Sequence, residues 1–440
     1  MVRLIEAMNY RSLKCVRQPL DEFHVLVGPN ASGKSTYMDV LAFLSRLVND
    51  GLDAAIAERG TFDDLCWNRQ GQRFELAIEI VLPEEHRRQL HLFRGGAACF
   101  IRYELAVAKD AAGTVRIVDE QVLLAPSWDL TEPGSQESVK ILEEMALPPG
   151  NAYALTARNK GIANTVFTRR GNGFWVPLLT PTKASTEYAL SPEFFDPERP
   201  DEDQYWAVYR PNGKRPIFGS VSEIEFPSTV ALGLLLRDQI TRLDVRPDAL
   251  RLPSAPGQGA GFSANGGNLP WLIEDLKKNK AAQFGDWVRH VRTALPSFED
   301  VRVVERPEDR NRYLLIRYTG GLEVPSWCCS DGTLCLLALT FLAYQSRPGD
   351  VYLVEEPESH IHPLNIEPVM QSLGSVYGGQ VLVSTHSPTV LALTDVEKVL
   401  AFSADSQNGT RIVPGKDHPR LREWKGEISL GTLFASGVLG

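Results

Sequence analysis

The chain has 440 residues, of which 43% are hydrophobic and 23% are charged. This composition excludes a disordered or fibrous protein, and the length corresponds to about two or three domains. The 46 Lys and Arg residues stand against 55 Asp and Glu residues, a formal net charge of −9. Attraction of the whole surface to nucleic acid is therefore excluded, and any contact with phosphate backbones must rest on a local patch.

Cysteines and apolar runs bear on the compartment of the protein. The six cysteines include no C-x-x-C pair and no cluster at zinc spacing, which predicts reduced thiols. Glu6 interrupts the first apolar run, so the N-terminus lacks the apolar stretch of a signal peptide. The longest apolar run, residues 334–344, is shorter than the ~20 residues of a membrane helix. We therefore expect a soluble cytoplasmic protein without a membrane segment.

The N-terminal region predicts strands followed by a loop and a helix. Short apolar or alternating segments at residues 3–9, 13–16 and 23–27 predict strands of one sheet. A glycine-rich loop follows the third segment directly, and apolar side chains recur with helical period over residues 36–48. The expected order is strand, phosphate-type loop, helix.

The next region predicts a largely antiparallel sheet. Alternating runs occupy residues 74–82, 101–107 and 115–124, and turn-forming residues separate them. Shorter strand-like pieces follow at residues 163–169 and 173–179. We expect these segments to pair as an antiparallel β subdomain beside the nucleotide site.

A Pro-rich and acidic stretch divides the chain. Residues 191–227 predict a loop or a variable insertion. Residues 228–243 then predict a helix with Ser228 as its N-cap, and residues 269–280 and 281–295 predict two more helices. The predicted organisation is an N-terminal lobe at 1–190, the insertion, and a C-terminal lobe at 228–440.

The C-terminal lobe also contains strands and one strongly apolar helix. Strands are predicted near residues 301–304 and 313–318, and residues 332–344 predict a buried helix. Residues 351–354 and 380–384 are short apolar runs without alternation. Such runs are typical of buried parallel strands.

The most specific motif is the loop at residues 28–35, GPNASGKS, which fits G-x-x-x-x-G-K-[ST] at every defined position. Its backbone N–H groups and the positive end of the following helix can bind phosphates. Lys34 is predicted to bridge the β and γ phosphates of ATP, and Ser35 to ligate Mg²⁺. A chance glycine-rich turn would not explain the loop spacing, the strand before it and the helix after it together. The predicted nucleotide-binding residues of the loop are Asn30, Gly33, Lys34, Ser35 and Thr36.

A second motif is a buried strand that ends in adjacent carboxylates, at residues 351–358, VYLVEEPE. This is the arrangement of a Walker B segment. Glu355 is predicted to hold Mg²⁺, directly or through water, and Glu356 to orient and deprotonate the attacking water. Standing alone, the segment would equally suit a solvated acidic loop. The phosphate loop in the same chain favours the catalytic interpretation.

A third motif, residues 380–388 with the sequence QVLVSTHSP, predicts a buried strand followed by a polar turn. His386 lies in that turn, where its imidazole could hydrogen-bond a γ-phosphate oxygen and the attacking water. A lone histidine at a strand end is more often structural. Its place after the acidic strand makes His386 a candidate catalytic residue.

In order and combination these motifs resemble the ABC-type, SMC-like AAA ATPases related to the ATPase domain of OLD-family proteins. The residues that carry the resemblance are NYRSL at 9–13, NGGNL at 265–269, SDGTL at 330–334, EEPE at 355–358 with His362 and Pro363, and STHSP at 384–388. The resemblance implies an α/β P-loop fold with an ABC/SMC-like split head, in which a mixed sheet and an antiparallel β subdomain accompany a helical lobe.

The resemblance also assigns roles and partners. It implies that Ser330 and Gly332 belong to an ABC signature, which meets the γ-phosphate across a dimer interface. ATP and Mg²⁺ would be the cofactors, and homodimerisation would complete the site. Without the other motifs, Ser-Asp-Gly would be an ordinary N-cap turn. Gln70 and Gln72 are both candidates for the glutamine loop, and their spacing does not choose between them.

The chain departs from the family in two respects. OLD proteins carry a Toprim nuclease, and too few residues follow Pro388 for that domain, so we expect no fused nuclease. The D-x-D at residues 201–203 lies in the Pro-rich stretch and suits a solvated turn. No long heptad run is present, so the coiled-coil arm of SMC proteins is not expected.

Two functions remain open from the sequence. The first is an ATPase whose nucleotide-driven dimerisation controls a separate effector, in an anti-phage or toxin-like module, as the resemblance implies. The second is a DNA-binding repair ATPase that acts without an effector. A transporter subunit is disfavoured by the SDGT signature, and a small-molecule kinase would not need the Glu-Glu pair. The candidate basic groups for DNA, each of which also suits a solvated face, are Arg169, Arg170, Arg237, Arg242, Arg246, Arg251, Lys277, Lys278 and Lys280.

Overall fold

A computed structural model describes residues 1–82, 100–125, 164–170, 173–177, 206–208, 213–216, 227–258, 261–421 and 429–437. These residues form two compact units. The first unit consists of the described parts of Met1–Leu20, Asp39–Asp238 and Ala404–Arg411, and the second of those of Asp21–Met38, Gln239–Ser403 and Ile412–Gly440.

The strands of the described residues are numbered in chain order. They are β1 (Val2–Tyr10), β2 (Leu13–Pro19), β3 (Phe23–Val27), β4 (Arg73–Val81), β5 (Phe100–Lys109), β6 (Val115–Ala125), β7 (Asn164–Arg170), β8 (Gly173–Pro177), β9 (Trp206–Val208), β10 (Ile240–Leu243), β11 (Phe298–Glu305), β12 (Arg312–Tyr318), β13 (Glu323–Pro325), β14 (Val351–Glu355), β15 (Gln380–Thr385), β16 (Val399–Asp405) and β17 (Gly409–Pro414).

The helices are numbered in the same way. They are α1 (Lys34–Asp50), α2 (Leu52–Ala57), α3 (Phe62–Leu65), α4 (Pro227–Leu234), α5 (Pro247–Arg251), α6 (Leu269–Asn279), α7 (Ala281–Ala294), α8 (Asp331–Gln345), α9 (Ile366–Leu373), α10 (Pro388–Ala392) and α11 (Leu430–Ala435).

The first unit is built on an eight-stranded sheet with the order β2-β1-β4-β5-β6-β7-β8-β9. Every neighbouring pair is antiparallel, as the alternating runs predict. Of the predicted insertion at residues 191–227, the described part includes a strand, Trp206–Val208, at the edge of this sheet. The D-x-D at residues 201–203 lies outside the described residues.

A buried carboxylate on α1 is held by three partners of the first unit. Asp39 accepts hydrogen bonds from the Tyr10 hydroxyl at 2.6 Å and from Arg59 Nε at 2.8 Å, and Arg11 Nη1 lies 3.1 Å away. Burial by itself raises the pKa of Asp39, but the hydrogen bonds from Arg59 and Tyr10 and the charges of Arg59 and Arg11 together outweigh it, so the pKa lies below its usual value. The carboxylate therefore stays ionised inside the unit.

We expect the Arg59→Gln variant to lose about 2 kcal/mol of unfolding free energy at pH 7, because a buried carboxylate loses its main partner while Arg11 and Tyr10 remain. The lowered pKa of Asp39 in the folded state means that this stabilisation is present above the usual value of 3.8 and is lost as pH falls through the folded value. The deficit of the variant should therefore shrink towards acid pH. Urea unfolding at neutral and acid pH measures this difference in unfolding free energy. The control is Arg46→Gln, which replaces an exposed arginine of α1. A deficit that does not change with pH would contradict this prediction.

The second unit contains a six-stranded sheet with the order β10-β14-β15-β3-β16-β17. β10, β14, β15, β3 and β16 run parallel, which confirms the prediction of buried parallel strands. The prediction that residues 23–27 share a sheet with the two segments before them is wrong, because β3 pairs with β15 and β16 here. Val25, Leu26 and Val27 are fully buried, as suits a central parallel strand covered on both faces. This pairing places the phosphate loop in the second unit and not with the rest of the predicted lobe at 1–190.

The predicted helix at residues 228–243 is also corrected. α4 begins at Pro227, so Ser228 lies inside the helix and is not its N-cap. A π-helical turn, Leu235–Gln239, follows, and Ile240–Leu243 form a parallel strand beside β14. β-branched Ile240 and Thr241 suit a strand, and hydrogen bonds to β14 outweigh the helical spacing of the apolar residues.

The remaining predicted helices and strands of the second unit are present. α6, α7 and α8 accompany a three-stranded antiparallel sheet of β11, β12 and β13. The core lies around the apolar helix α8, where Phe341 packs edge-on against Trp287 of α7 with 5.0 Å between ring centroids. The Trp287 indole donates to Thr340 Oγ1 at 3.1 Å, which satisfies the polar group of a fully buried side chain.

The described ranges contain neither a membrane-spanning helix nor a disulfide. No helix there is both long and apolar enough to span a bilayer. The cysteines of this part of the chain form no disulfide: Cys15, Cys66, Cys328, Cys329 and Cys335. Burial raises the pKa of the Cys66 thiol to about 12, so that side chain stays protonated at neutral pH.

Candidate nucleotide-binding site

The phosphate-type loop connects β3 to α1 and is packed closely on β16. Gly28 has φ +149°, and a Cβ at this position would lie 2.2 Å from the backbone oxygen of Phe402. Gly33, at the other end of the loop, has φ +102°, a region that favours glycine. The two glycines therefore allow the backbone to curl at the start of α1.

Lys34 points back into this curl. Its ammonium donates hydrogen bonds to the backbone oxygens of Gly28 at 2.7 Å and Pro29 at 2.9 Å. Burial lowers the pKa of Lys34, and the negative charges of Glu356 and Glu355 oppose that shift. The Lys34 side chain thus lies within the loop, close to two carboxylates. Of the other predicted loop residues, Asn30 and Ser35 are exposed and Thr36 is half-buried.

Ser35 lies against the acidic end of β14. Its hydroxyl donates to Glu355 Oε2 at 2.9 Å, although the two residues are 320 positions apart in the sequence. The parallel strands explain the contact, because β3 and β14 both flank β15 and their carboxyl ends meet at one edge. Arg242 of β10 contacts the other oxygen of the same carboxylate, with 2.6 Å between Nη2 and Oε1.

The oxygens of Ser35 and Glu355 suit a hard divalent cation. A hydroxyl and a carboxylate are ligands that Mg²⁺ prefers. Glu355 Oε1 is buried and makes no hydrogen bond of good geometry, despite the nearby guanidinium. Among the described residues no group of three or more His, Cys, Asp and Glu could hold a metal ion. A Mg²⁺ ion here would therefore take its remaining ligands from phosphate oxygens and water, as in other P-loop sites.

The two predicted catalytic side chains lie side by side. Glu356 Oε1 is 3.5 Å from His386 Nε2, and Glu356 Oε2 accepts a hydrogen bond from the Ser359 hydroxyl at 3.2 Å. Glu356 has φ +45°, which is uncommon for a residue with a side chain, and its N–H donates to Ser384 O at 2.8 Å. The uncommon backbone angle and the contact with His386 occur at the same residue, which is typical of a functional site.

Two polar residues that the sequence reasoning missed join the loops after β14 and β15. The Thr385 hydroxyl donates to Glu358 Oε1 and accepts from the N–H of Ser387 at 2.9 Å. Glu358 belongs to the EEPE motif, which could have signalled its role. Glu356 and His386 lie on these two loops, and the Thr385–Glu358 hydrogen bond connects the loops next to them.

The predicted signature lies at the N-terminus of α8. Ser330 is exposed and caps the helix, since its Oγ accepts from the Thr333 N–H at 3.3 Å. A Cβ at Gly332 would lie 3.1 Å from the backbone oxygen of His360, in the loop after β14. Arg251 contacts the Asp331 carboxylate and donates to Cys329 O at 3.0 Å. The local structure is an N-cap turn, and its contact with a second copy stays a prediction.

Three of the arginines predicted as candidate basic groups for DNA are engaged in ion pairs. Arg242 contacts Glu355 and Arg251 contacts Asp331, while Arg246 Nε donates to Asp244 Oδ2 at 2.7 Å. These three side chains therefore do not form an open basic stripe. The side chains of Arg169 and Arg170 lie outside the described residues. Gln70 and Gln72 are both exposed in the first unit, and the choice between them stays open.

The fold defines the class: the chain has an α/β P-loop ATPase fold of the SMC-head type. It is similar in fold to a solved SMC head bound to the C-winged helix domain of ScpA, at TM-score 0.52 and 15% identity over 94% of this chain and 96% of that one. An SMC head from Pyrococcus furiosus with an extended coiled coil, bound to the C-terminal domain of ScpA, matches with TM-score 0.42, 14% identity and coverage of 94% and 95%. An SMC head domain from Thermotoga maritima matches with TM-score 0.38, 12% identity and coverage of 94% and 98%.

The sequence comparison gives a match to an AAA-type domain over part of the chain. The family model described as "AAA domain, putative AbiEii toxin, Type IV TA system" matches residues 23–94 and 262–392. These ranges contain the phosphate loop, the signature segment, the acidic strand end and His386. No curated protein matches the chain.

Proposed function

We propose that this protein is an ATPase that binds ATP with Mg²⁺ and hydrolyses it to ADP and phosphate. The observation that carries the proposal is the convergence of three motifs at one sheet edge. Lys34 donates a hydrogen bond to the Gly28 oxygen of the phosphate loop, Ser35 contacts Glu355, and Glu356 lies beside His386. These are the groups that phosphoryl transfer to water requires: phosphate binding, a cation site and a base.

Nucleotide binding follows from the loop. Backbone N–H groups at the start of α1 face the phosphates, and Lys34 exchanges the carbonyl acceptors of Gly28 and Pro29 for phosphate oxygens. Ser35 and Glu355 would hold Mg²⁺, which when bound would supply positive charge to the phosphates. Because Lys34 is buried, its charge attracts a phosphate more strongly there than it would in water.

Hydrolysis uses the pair beside the cation site. Glu356 accepts the proton of the attacking water at Oε1, which makes the water a stronger nucleophile. His386, 3.5 Å away, orients that water and donates a hydrogen bond to a γ-phosphate oxygen. The Thr385–Glu358 contact keeps the two side chains in reach of one water molecule. In this scheme Glu356 and His386 are the catalytic residues.

We further propose that ATP joins two copies of the chain. Ser330 is exposed at a helix N-terminus, where its hydroxyl and the Gly332 N–H could donate to a γ-phosphate of a second copy. ATP would then close a homodimer and hydrolysis would reopen it. This step rests on the predicted signature and on the resemblance to ABC-type and OLD-related ATPases.

The dimer would control a separate effector protein in an anti-phage or toxin-like module. The matched family model carries a toxin description, and the SMC head of similar fold was solved with a bound ScpA domain. Both observations support a head that acts through a partner. The DNA-binding alternative loses support because Arg242, Arg246 and Arg251 are ion-paired.

The Ser330→Arg variant tests the dimer. We expect it to lose ATP-dependent dimerisation and to lower ATP hydrolysis by about tenfold or more, because a charged side chain would occupy the centre of a close interface. Its affinity for ATP as a monomer should not change. Light scattering, phosphate release and nucleotide titration measure the three quantities. Thr293→Arg, at an exposed position of α7, is the control. Normal dimerisation of Ser330→Arg would exclude the signature assignment.

A further inference from the structure

The carboxylate of Glu355 is shared between two side chains. Ser35 Oγ donates to Oε2 at 2.9 Å, and Arg242 Nη2 lies 2.6 Å from Oε1. The oxygens proposed to face a divalent cation therefore also face a guanidinium. None of the three predicted motifs contains this arginine, which the sequence assigned to a helix.

The strand register explains the position of Arg242. β10 runs parallel to β14 with Arg242 opposite Leu353, so Arg242 and Glu355 lie on the same face, offset by two residues. β10 is the first strand of the sheet, and no described strand pairs with its outer side. The side chain of Arg242 is 49% exposed, against 29% for Glu355. A guanidinium at such an edge can turn into water at small cost.

We propose that Arg242 competes with the divalent cation for Glu355 and thereby sets the cation concentration at which the nucleotide site loads. The inference rests on the proposed function and names a regulator of that same site. A divalent cation and the guanidinium that share one carboxylate repel each other. Each would therefore weaken the contact of the other with Glu355, which contacts Ser35 through Oε2 and Arg242 through Oε1.

A purely structural role for Arg242 predicts the opposite result. If the guanidinium only held Glu355 in place, removing it would let the carboxylate move and would weaken metal binding. If the guanidinium competes, removing it strengthens metal binding. The direction of the change in cation affinity therefore separates the two roles.

The experiment measures Mn²⁺ binding to the full chain by electron paramagnetic resonance, in the presence of a non-hydrolysable ATP analogue. We expect Arg242→Gln and Arg242→Ala to bind Mn²⁺ about three- to fivefold more tightly than wild type, the range of a half-exposed ion pair. Arg242→Lys keeps a positive charge and should stay close to wild type. Arg246→Gln, at an exposed arginine four residues further along, is the control and should not change.

Unchanged or weaker Mn²⁺ binding by Arg242→Gln and Arg242→Ala would overturn the proposal. Nucleotide affinity in the absence of divalent cations checks that the variants are folded, and it should equal that of wild type. A second readout is the Mg²⁺ concentration for half-maximal hydrolysis, which should fall in both variants. If the wild-type chain bound neither nucleotide nor Mn²⁺, the proposed ATPase function would fail, whereas failure of the Arg242 proposal alone leaves wild-type binding intact.

Discussion

Replacement of Lys34 by alanine is expected to abolish ATP-dependent behaviour, with hydrolysis reduced by about 10²–10³-fold or more. The ammonium is the charge that the phosphate loop encloses, and it donates to the backbone oxygens of Gly28 and Pro29. Alanine removes the cation that faces the phosphates and leaves two loop carbonyls without their donor. Fluorescent nucleotide titration and phosphate release measure the loss.

The matched control is Lys14→Ala. Lys14 also donates its ammonium to a backbone oxygen, that of Gln407 at 3.0 Å, but it lies in the first unit and outside the motifs. This variant should hydrolyse ATP as wild type does. Lys34→Arg should be impaired like Lys34→Ala, because a planar guanidinium does not fit the curl that an ammonium fills. Hydrolysis by Lys34→Ala at the wild-type rate would exclude the loop from catalysis.

The Glu356→Gln variant is expected to keep ATP binding while its hydrolysis falls by about 10²–10⁴-fold. The amide has nearly the shape of the carboxylate but cannot accept the proton of the attacking water. The backbone hydrogen bond from the residue 356 N–H to Ser384 O does not depend on the side chain, so the loop should keep its conformation. A closed, ATP-bound dimer should therefore accumulate.

The measurement is the mass of Glu356→Gln in solution, with and without ATP and Mg²⁺, alone and after co-expression with neighbouring genes. Glu367→Gln, at an exposed acid of α9, is the control and should behave as wild type. A nucleotide-dependent dimer that retains a second protein would support control of an effector. A nucleotide-dependent dimer that binds DNA in a salt-sensitive way would favour the repair alternative. A monomer that does not respond to nucleotide would exclude the proposed ATP-dependent homodimer. Hydrolysis by Glu356→Gln at the wild-type rate would exclude Glu356 as the base.

Several parts of the fold could be predicted because their signals are local. The alternating runs of β4, β5 and β6 have the period of a half-buried strand, and the structure pairs them as predicted. The helix α8 and the apolar strands β14 and β15 have few polar residues, and each is buried. In these cases the spacing of the apolar residues and the length of the segment distinguish a helix from a strand, because only one of the two buries all the apolar side chains.

Other parts could not be predicted because neighbours distant in sequence decide them. Residues 240–243 continue a helical pattern, yet they pair with β14 as an edge strand. β3 follows β1 and β2 closely in the chain but lies in a different sheet, because β15 and β16 cover both its sides. Arg242 gave no sign of its contact with Glu355, since that contact depends on the register of β10.

The chemical groups of the candidate site could be predicted from the sequence alone. A glycine-rich loop before a helix, adjacent acids at a strand end and a histidine in a turn each depend on residues that are neighbours in the chain. Which of these groups contact each other depends on the packing of the folded chain. Ser35 reaches Glu355 across 320 positions because parallel strands bring their carboxyl ends to one edge, and Arg242 joins them from the adjacent strand. Strand pairing depends on the whole chain, so no single segment could reveal it.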